Sequence, residues 1–96
     1  MDKLIEQFIQ NNDLRSPQII RAFERIKRWD FLPPEVVDQH LVNTPLPIGA
    51  GQTNSQPYTV AFMLELLDPQ EGQKILDIGS GSGWTTALLA EIAGLN

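Results

Sequence analysis

Residues 77–83 read Asp-Ile-Gly-Ser-Gly-Ser-Gly. Gly79, Gly81 and Gly83 alternate with Ser80 and Ser82, and Asp77 sits two positions before the first glycine. Glycines in such a run let the main chain come close to a ligand, and a helix starting behind them offers amides that no earlier turn uses. The spacing Gly-x-Gly-x-Gly is one residue tighter than the dinucleotide fingerprint. Taken alone, the run also reads as a tight strand-to-helix connection with no ligand. A second polar cluster is Gln52-Thr53-Asn54-Ser55-Gln56-Pro57. Ser55 could orient a reacting group, or it could cap a helix beginning at Pro57. Gln52 and Thr53 would line the same loop or stabilise its turns. His40 is the single histidine and reads as a surface or helix-end residue, not a base. The sequence offers no cluster with metal-ligand spacing, and without cysteine no thiolate site is possible.

These groups need elements to hold them. Lys74 to Ile78 is nearly continuous in apolar character, which suits a strand covered on both faces of a parallel sheet. Residues 84–92 follow as a helix, with Thr85, Leu88, Leu89 and Ile92 along one side and Gly94 as a stop. Strand, glycine turn and helix form the first half of a doubly wound unit. Upstream, residues 2–12 predict an amphipathic helix carrying Leu4, Ile5, Phe8 and Ile9. Ser16 then serves as N-cap and Pro17 as first helical residue of a second helix, with Arg25, Lys27 and Arg28 in its last turn. Residues 35–41 predict a brief third helix. Trp29 and Phe31 join this cap to the core, where Trp84 also packs. Residues 43–57 hold Pro45, Pro47, Gly49, Gly51 and Pro57 and read as a shaped, irregular loop. Residues 57–67 are helical, ended by Asp68-Pro69.

At 96 residues the chain is at most one small domain. Its hydrophobic fraction of 42% and charged fraction of 20% are those of a folded soluble protein and exclude a disordered or collagenous one. The net charge of −5 argues against nucleic acid as a partner. No apolar run approaches the ~20 residues of a membrane helix, and the start, Met1-Asp2-Lys3-Leu4-Ile5-Glu6, is unlike a signal peptide. A cytoplasmic location is the expectation. Charge is unevenly spread: five of the seven basic residues lie between Arg15 and Arg28. They form a solvated helix face or a basic docking surface.

Asp77 to Gly83 resembles the first motif of class I methyltransferases that use S-adenosylmethionine. The stretch Pro45-Leu46-Pro47-Ile48-Gly49-Ala50-Gly51-Gln52-Thr53-Asn54-Ser55-Gln56-Pro57 is more restrictive and resembles the signature of protein-L-isoaspartate O-methyltransferases. Asp30-Phe31-Leu32-Pro33-Pro34-Glu35 is similar to the segment that precedes that signature. The resemblance implies an α/β chain in three parts: a helical cap over 1–42, an active-site loop over 43–57, and the start of a Rossmann-like domain over 58–96. It implies Ser55 as the active residue. It implies S-adenosylmethionine as cofactor, held by Gln52, Thr53, Asp77, Gly79, Ser80, Gly81, Ser82 and Gly83. The substrates would be isoaspartyl-containing proteins or peptides, whose free carboxylate is methylated in repair. Many members of the family carry an apolar residue where this chain has Asn54, and aspartate where it has Asn43.

An acid about 20 residues past the glycine turn would hold the cofactor ribose, and that position falls after Asn96. A lone parallel strand would also lack neighbours for its main-chain groups. The expectation is therefore a truncated chain, the N-terminal portion of such an enzyme and inactive alone. Two rival readings are a non-catalytic fragment serving as an interaction or swapped-dimer module, and a related methyltransferase for a dedicated peptide, hinted at by Asn54.

Overall fold

The computed structural model describes residues 2–75 and 83–94. Its first helix, α1, spans Lys3–Gln10 and is capped by Asp2, whose carboxylate accepts from the Ile5 amide at 2.8 Å. Asn12 ends it in the left-handed region (φ 63°), and the Asp13 and Leu14 amides both return to the Phe8 carbonyl. The second helix, α2, spans Pro17–Arg25, with Pro17 at its first turn as expected. Ser16 occupies the N-cap position without capping, because its hydroxyl donates to Glu65 instead. Ile26 closes α2, so Lys27 and Arg28 lie beyond it and not in its last turn. The brief helix expected over 35–41 is only a 3-10 turn, Val37–Gln39, which follows another at Arg28–Phe31.

The largest departure from the sequence reading lies in the loop. Leu46–Gly49 (β1) and Gln52–Asn54 (β2) pair antiparallel as a hairpin, with Leu46 opposite Asn54 and Pro47 opposite Thr53. An irregularity between Pro47 and Gly49 bends it. Ala50 and Gly51, both at positive φ (53° and 71°), make the two-residue turn that joins its strands. Prolines that suggest a strandless loop are tolerated here because a two-stranded ribbon consists only of edges.

Helix α3 follows at Pro57–Leu67 and α4 at Trp84–Ala93. Of the strand expected over 74–78, Lys74 and Ile75 are described and are not in a strand, and the rest lies outside the described residues. The Gly72 amide donates to the Ala93 carbonyl at 2.8 Å, tying the turn after α3 to the end of α4.

The four described α-helices share one core. Ile5 and Phe8 of α1, Ile19 and Phe23 of α2, Val60 and Leu64 of α3, and Trp84, Leu88 and Ile92 of α4 are all buried together. Phe23 meets Trp84 edge to face at 5.9 Å between ring centres. Trp84 is thus a core residue, as expected. Trp29 is not the expected bridge: it is 41% exposed and packs edge-on against His40, while Phe31 joins the core's margin. Helix α3 is apolar on much of both its inner and its outer side. Its inner side is buried, but Phe62, Met63, Leu66 and Leu67 face solvent. No described helix is long and apolar enough to cross a membrane.

Candidate functional site

The hairpin sets where each polar residue points. Gln52 and Thr53 on β2 are exposed, Asn54 is buried, and Ser55 is exposed again. Ser55 is not the helix cap. Gln56 holds that position, with Pro57 as the first helical residue. The orphan amide of Tyr58 in the first turn of α3 is taken by Asn43, whose side-chain oxygen accepts it at 2.9 Å. The helix is thus capped from fifteen residues upstream, and the hydroxyl of Ser55 stands outside that role.

Ser55 opens onto a groove of about 550 Å³ between α3 and α4, within the usual range of small-molecule sites. Thr59 of α3 and Thr85 in the first turn of α4 bring two further hydroxyls to it, above an apolar wall that includes Leu64, Ile75 and Leu89. Gln52 and Thr53 are not among its described walls. Gly83 directly precedes α4 as its N-cap at φ +89°. Among the described residues a Cβ there would come no closer than 4.0 Å, to Phe31 Cδ1, and it is the positive φ that calls for glycine. Asp77, Gly79, Ser80, Gly81 and Ser82, all expected at the cofactor, lie outside the described residues. Among the described residues no group of three His, Asp or Glu side chains could hold a metal.

Behind Ser55 lies a residue the sequence reading did not single out. Arg28 is only 6% exposed, and all five of its N–H donors are used. Nε donates to Asn54 Oδ1 at 2.6 Å. Nη1 donates to the Val42 carbonyl at 2.8 Å and the His40 carbonyl at 3.4 Å. Nη2 donates to the Thr44 carbonyl at 2.7 Å and the Ser55 carbonyl at 3.2 Å. The guanidinium lies 5.5 Å from the centre of the Trp84 ring. Burial lowers its pKa to about 10, which leaves it charged at neutral pH. Asn54, next to Ser55 in sequence, therefore faces inward onto Arg28 and is 1% exposed. The one sequence hint of Arg28 was its setting, a cation between apolar Ile26 and the aromatic pair Trp29 and Phe31.

The basic cluster between Arg15 and Arg28 also has internal work. Arg25 pairs with Glu91 of α4 at 2.8 Å, and Arg15 lies 3.9 Å from buried Glu65. Lys27 Nζ lies 5.8 Å from the centre of the Trp29 ring, so with Arg28 four of the five cations face partners within the chain.

The model of the family described as protein-L-isoaspartate(D-aspartate) O-methyltransferase matches residues 1–96 of the chain. The chain belongs to this family. A protein-L-isoaspartate O-methyltransferase of Methanopyrus kandleri is 42% identical over 91 residues, covering 95% of this chain and 40% of the relative. That of Aeropyrum pernix is 46% identical over 90 residues, covering 94% of this chain and 35% of the relative. A crystal structure from Plasmodium falciparum, described as a methyltransferase of the same kind in complex with S-adenosyl-L-homocysteine, superposes with a TM-score of 0.79 at 25% identity. It covers 91% of this chain and 39% of the other. The chain thus spans about 40% of the length of the curated relatives it matches. As in its solved relative, the fold is that of an isoaspartate methyltransferase over this span.

Proposed function

We propose that the chain takes part in methyl transfer from S-adenosylmethionine to the free carboxylate of isoaspartyl residues in proteins or peptides, a repair reaction in the cytoplasm. The observation that carries the reading is the placement of Ser55. It is exposed, released from helix capping by Asn43, and set on a groove whose opposite wall is the first turn of α4. Family membership supports the substrate class, and the ligand of the Plasmodium structure supports the cofactor.

The donors present fit such a cofactor. The groove combines three hydroxyls with an apolar wall, beside a helix that starts at a left-handed glycine. Gly83 and the start of α4 would hold the cofactor with Asp77, Gly79, Ser80, Gly81 and Ser82, and Gln52 and Thr53 would reach it from the hairpin. When bound, S-adenosylmethionine supplies a methyl group already activated by its sulfonium. The substrate carboxylate is ionised at neutral pH and needs no base. The work left to the chain is orientation and exclusion of water. The Ser55 hydroxyl would hold the carboxylate at the groove mouth, and Met63 and Leu89 would shield it.

Substitution at Ser55 tests this. In a protein that carries this span at the full length of its relatives, Ser55→Ala should lower turnover of an isoaspartyl peptide by more than tenfold, with stability changed by less than about 0.5 kcal/mol. Ser55→Asp should be worse than alanine, since its carboxylate repels that of the substrate. Ser55→Thr should retain part of the activity. Turnover by Ser55→Ala within twofold of the unsubstituted full-length protein would refute the assignment.

A further inference from the structure

Resting on that reading, we infer that Arg28 is the positioning residue for Ser55, a guanidinium that fixes the hairpin's two ends to each other and to the start of α4. The geometry carries it. Val42 and Thr44 precede β1, while Asn54 and Ser55 end and follow β2. Arg28 holds all four at 2.6–3.2 Å. Hairpins of two short strands are marginal by themselves, so the separation of the two ends needs an outside fastener. The same guanidinium rests on Trp84, the first residue of α4. One side chain thus relates the carbonyl of Ser55 to the helix that carries Thr85 across the groove. A fork of five fixed donors can do this and a lysine cannot, because an ammonium has three donors around one atom.

The arrangement also explains why a charge is kept in the interior. The five acceptors are carbonyl oxygens, and three of them, of Thr44, Asn54 and Ser55, belong to the hairpin or its immediate flanks. Removing the guanidinium strands those oxygens and frees the loop at both ends.

Amide hydrogen exchange on the full chain, with Arg28→Lys, tests the role without reference to catalysis. Exchange at residues 44–55 is expected to speed up at least tenfold, while α1 and α4 keep their protection. Unchanged protection of the loop, or an equal loss everywhere, would overturn the proposal. Asn54→Ala is the milder variant should Arg28→Lys unfold. It removes one acceptor and should speed exchange severalfold at residues 52–55 alone. Loop exchange left as in the unsubstituted chain would again overturn the proposal. Where methyl transfer is measurable, Arg28→Lys should lower kcat at least tenfold and leave KM for S-adenosylmethionine within twofold. Loss confined to KM would overturn the positioning role. Failure of a full-length protein carrying this span to transfer methyl counts against the functional reading only, and the exchange pattern still decides the role of Arg28.

Discussion

Glu65 offers the sharpest test of how the helices are joined. Its carboxylate sits on α3 with a side-chain exposure of 4% and closes the start of α2 from outside. Oε2 accepts from the amides of Arg15 and Ser16, both at 2.9 Å, and Oε1 accepts from the Ser16 hydroxyl at 2.7 Å. A hydrogen bond to a charged acceptor contributes ~1.5–3 kcal/mol. Three that share one carboxylate are not independent. Glu65→Ala removes all three and should cost ~3–4 kcal/mol. Glu65→Gln keeps the shape and one carbonyl oxygen for the two amides, and its NH2 can donate to the Ser16 hydroxyl. It should cost ~1–2 kcal/mol. Burial by itself would raise the pKa of Glu65, but the three hydrogen bonds and nearby Arg15 outweigh it and hold it below the ordinary glutamate value. A carboxyl lowered in the folded state stabilises above its unfolded pKa, and that stabilisation disappears as pH falls through the folded value. The Gln variant cannot lose what it lacks. Its deficit against the unsubstituted chain should therefore shrink as pH falls from 7 to 3. Urea unfolding followed by circular dichroism at the two pH values reads both quantities. A deficit equal at both, or alanine and glutamine variants within about 0.5 kcal/mol of each other, would refute the account.

Two further substitutions address the supports of the site. Asn43→Ala should cost ~1 kcal/mol, the usual loss for a helix cap, and Asn43→Asp should recover that and add a few tenths by placing an anion at the start of α3. Urea midpoints rank the three chains, and an alanine variant as stable as the parent would show that the Tyr58 amide finds another acceptor. Gly83→Ala should cost ~1–2 kcal/mol through its left-handed dihedral, with Gly83→Asn milder. Thermal melts that leave alanine unchanged would mean the turn relaxes to negative φ.

Local chemistry in the sequence foretold the helices well. Pro17 and Pro57 mark two helix starts, Asp68-Pro69 marks one end, and the apolar spacing of Ile19 and Phe23 or Leu88 and Ile92 locates the buried faces. What escaped the sequence is non-local. A turn-rich segment gives no period by which to detect strands of three and four residues, and Arg28, which bonds both ends of the hairpin, lies outside that segment. Ser16 and Ser55 both look like helix caps by type and position. One is diverted to Glu65, 49 residues away, and the other is displaced by Asn43. The family resemblance singled out Ser55 and the glycine run as expectations, but it could not show that Asn54 turns inward or that Thr59 and Thr85 line one groove with Ser55.

Four of the five atoms that hold Arg28 belong to the main chain, and every amino acid supplies the same carbonyl. The identities at Val42, Thr44 and even Ser55 can therefore change without altering what Arg28 grips. Position 54 is the exception, since its contribution is a side-chain oxygen. The hub tolerates drift in the sequence around it almost everywhere and is sensitive at one neighbour. A library randomised at Val42, Thr44 and Asn54 would accordingly divide by position, with folded chains diverse at the first two sites and restricted at the third.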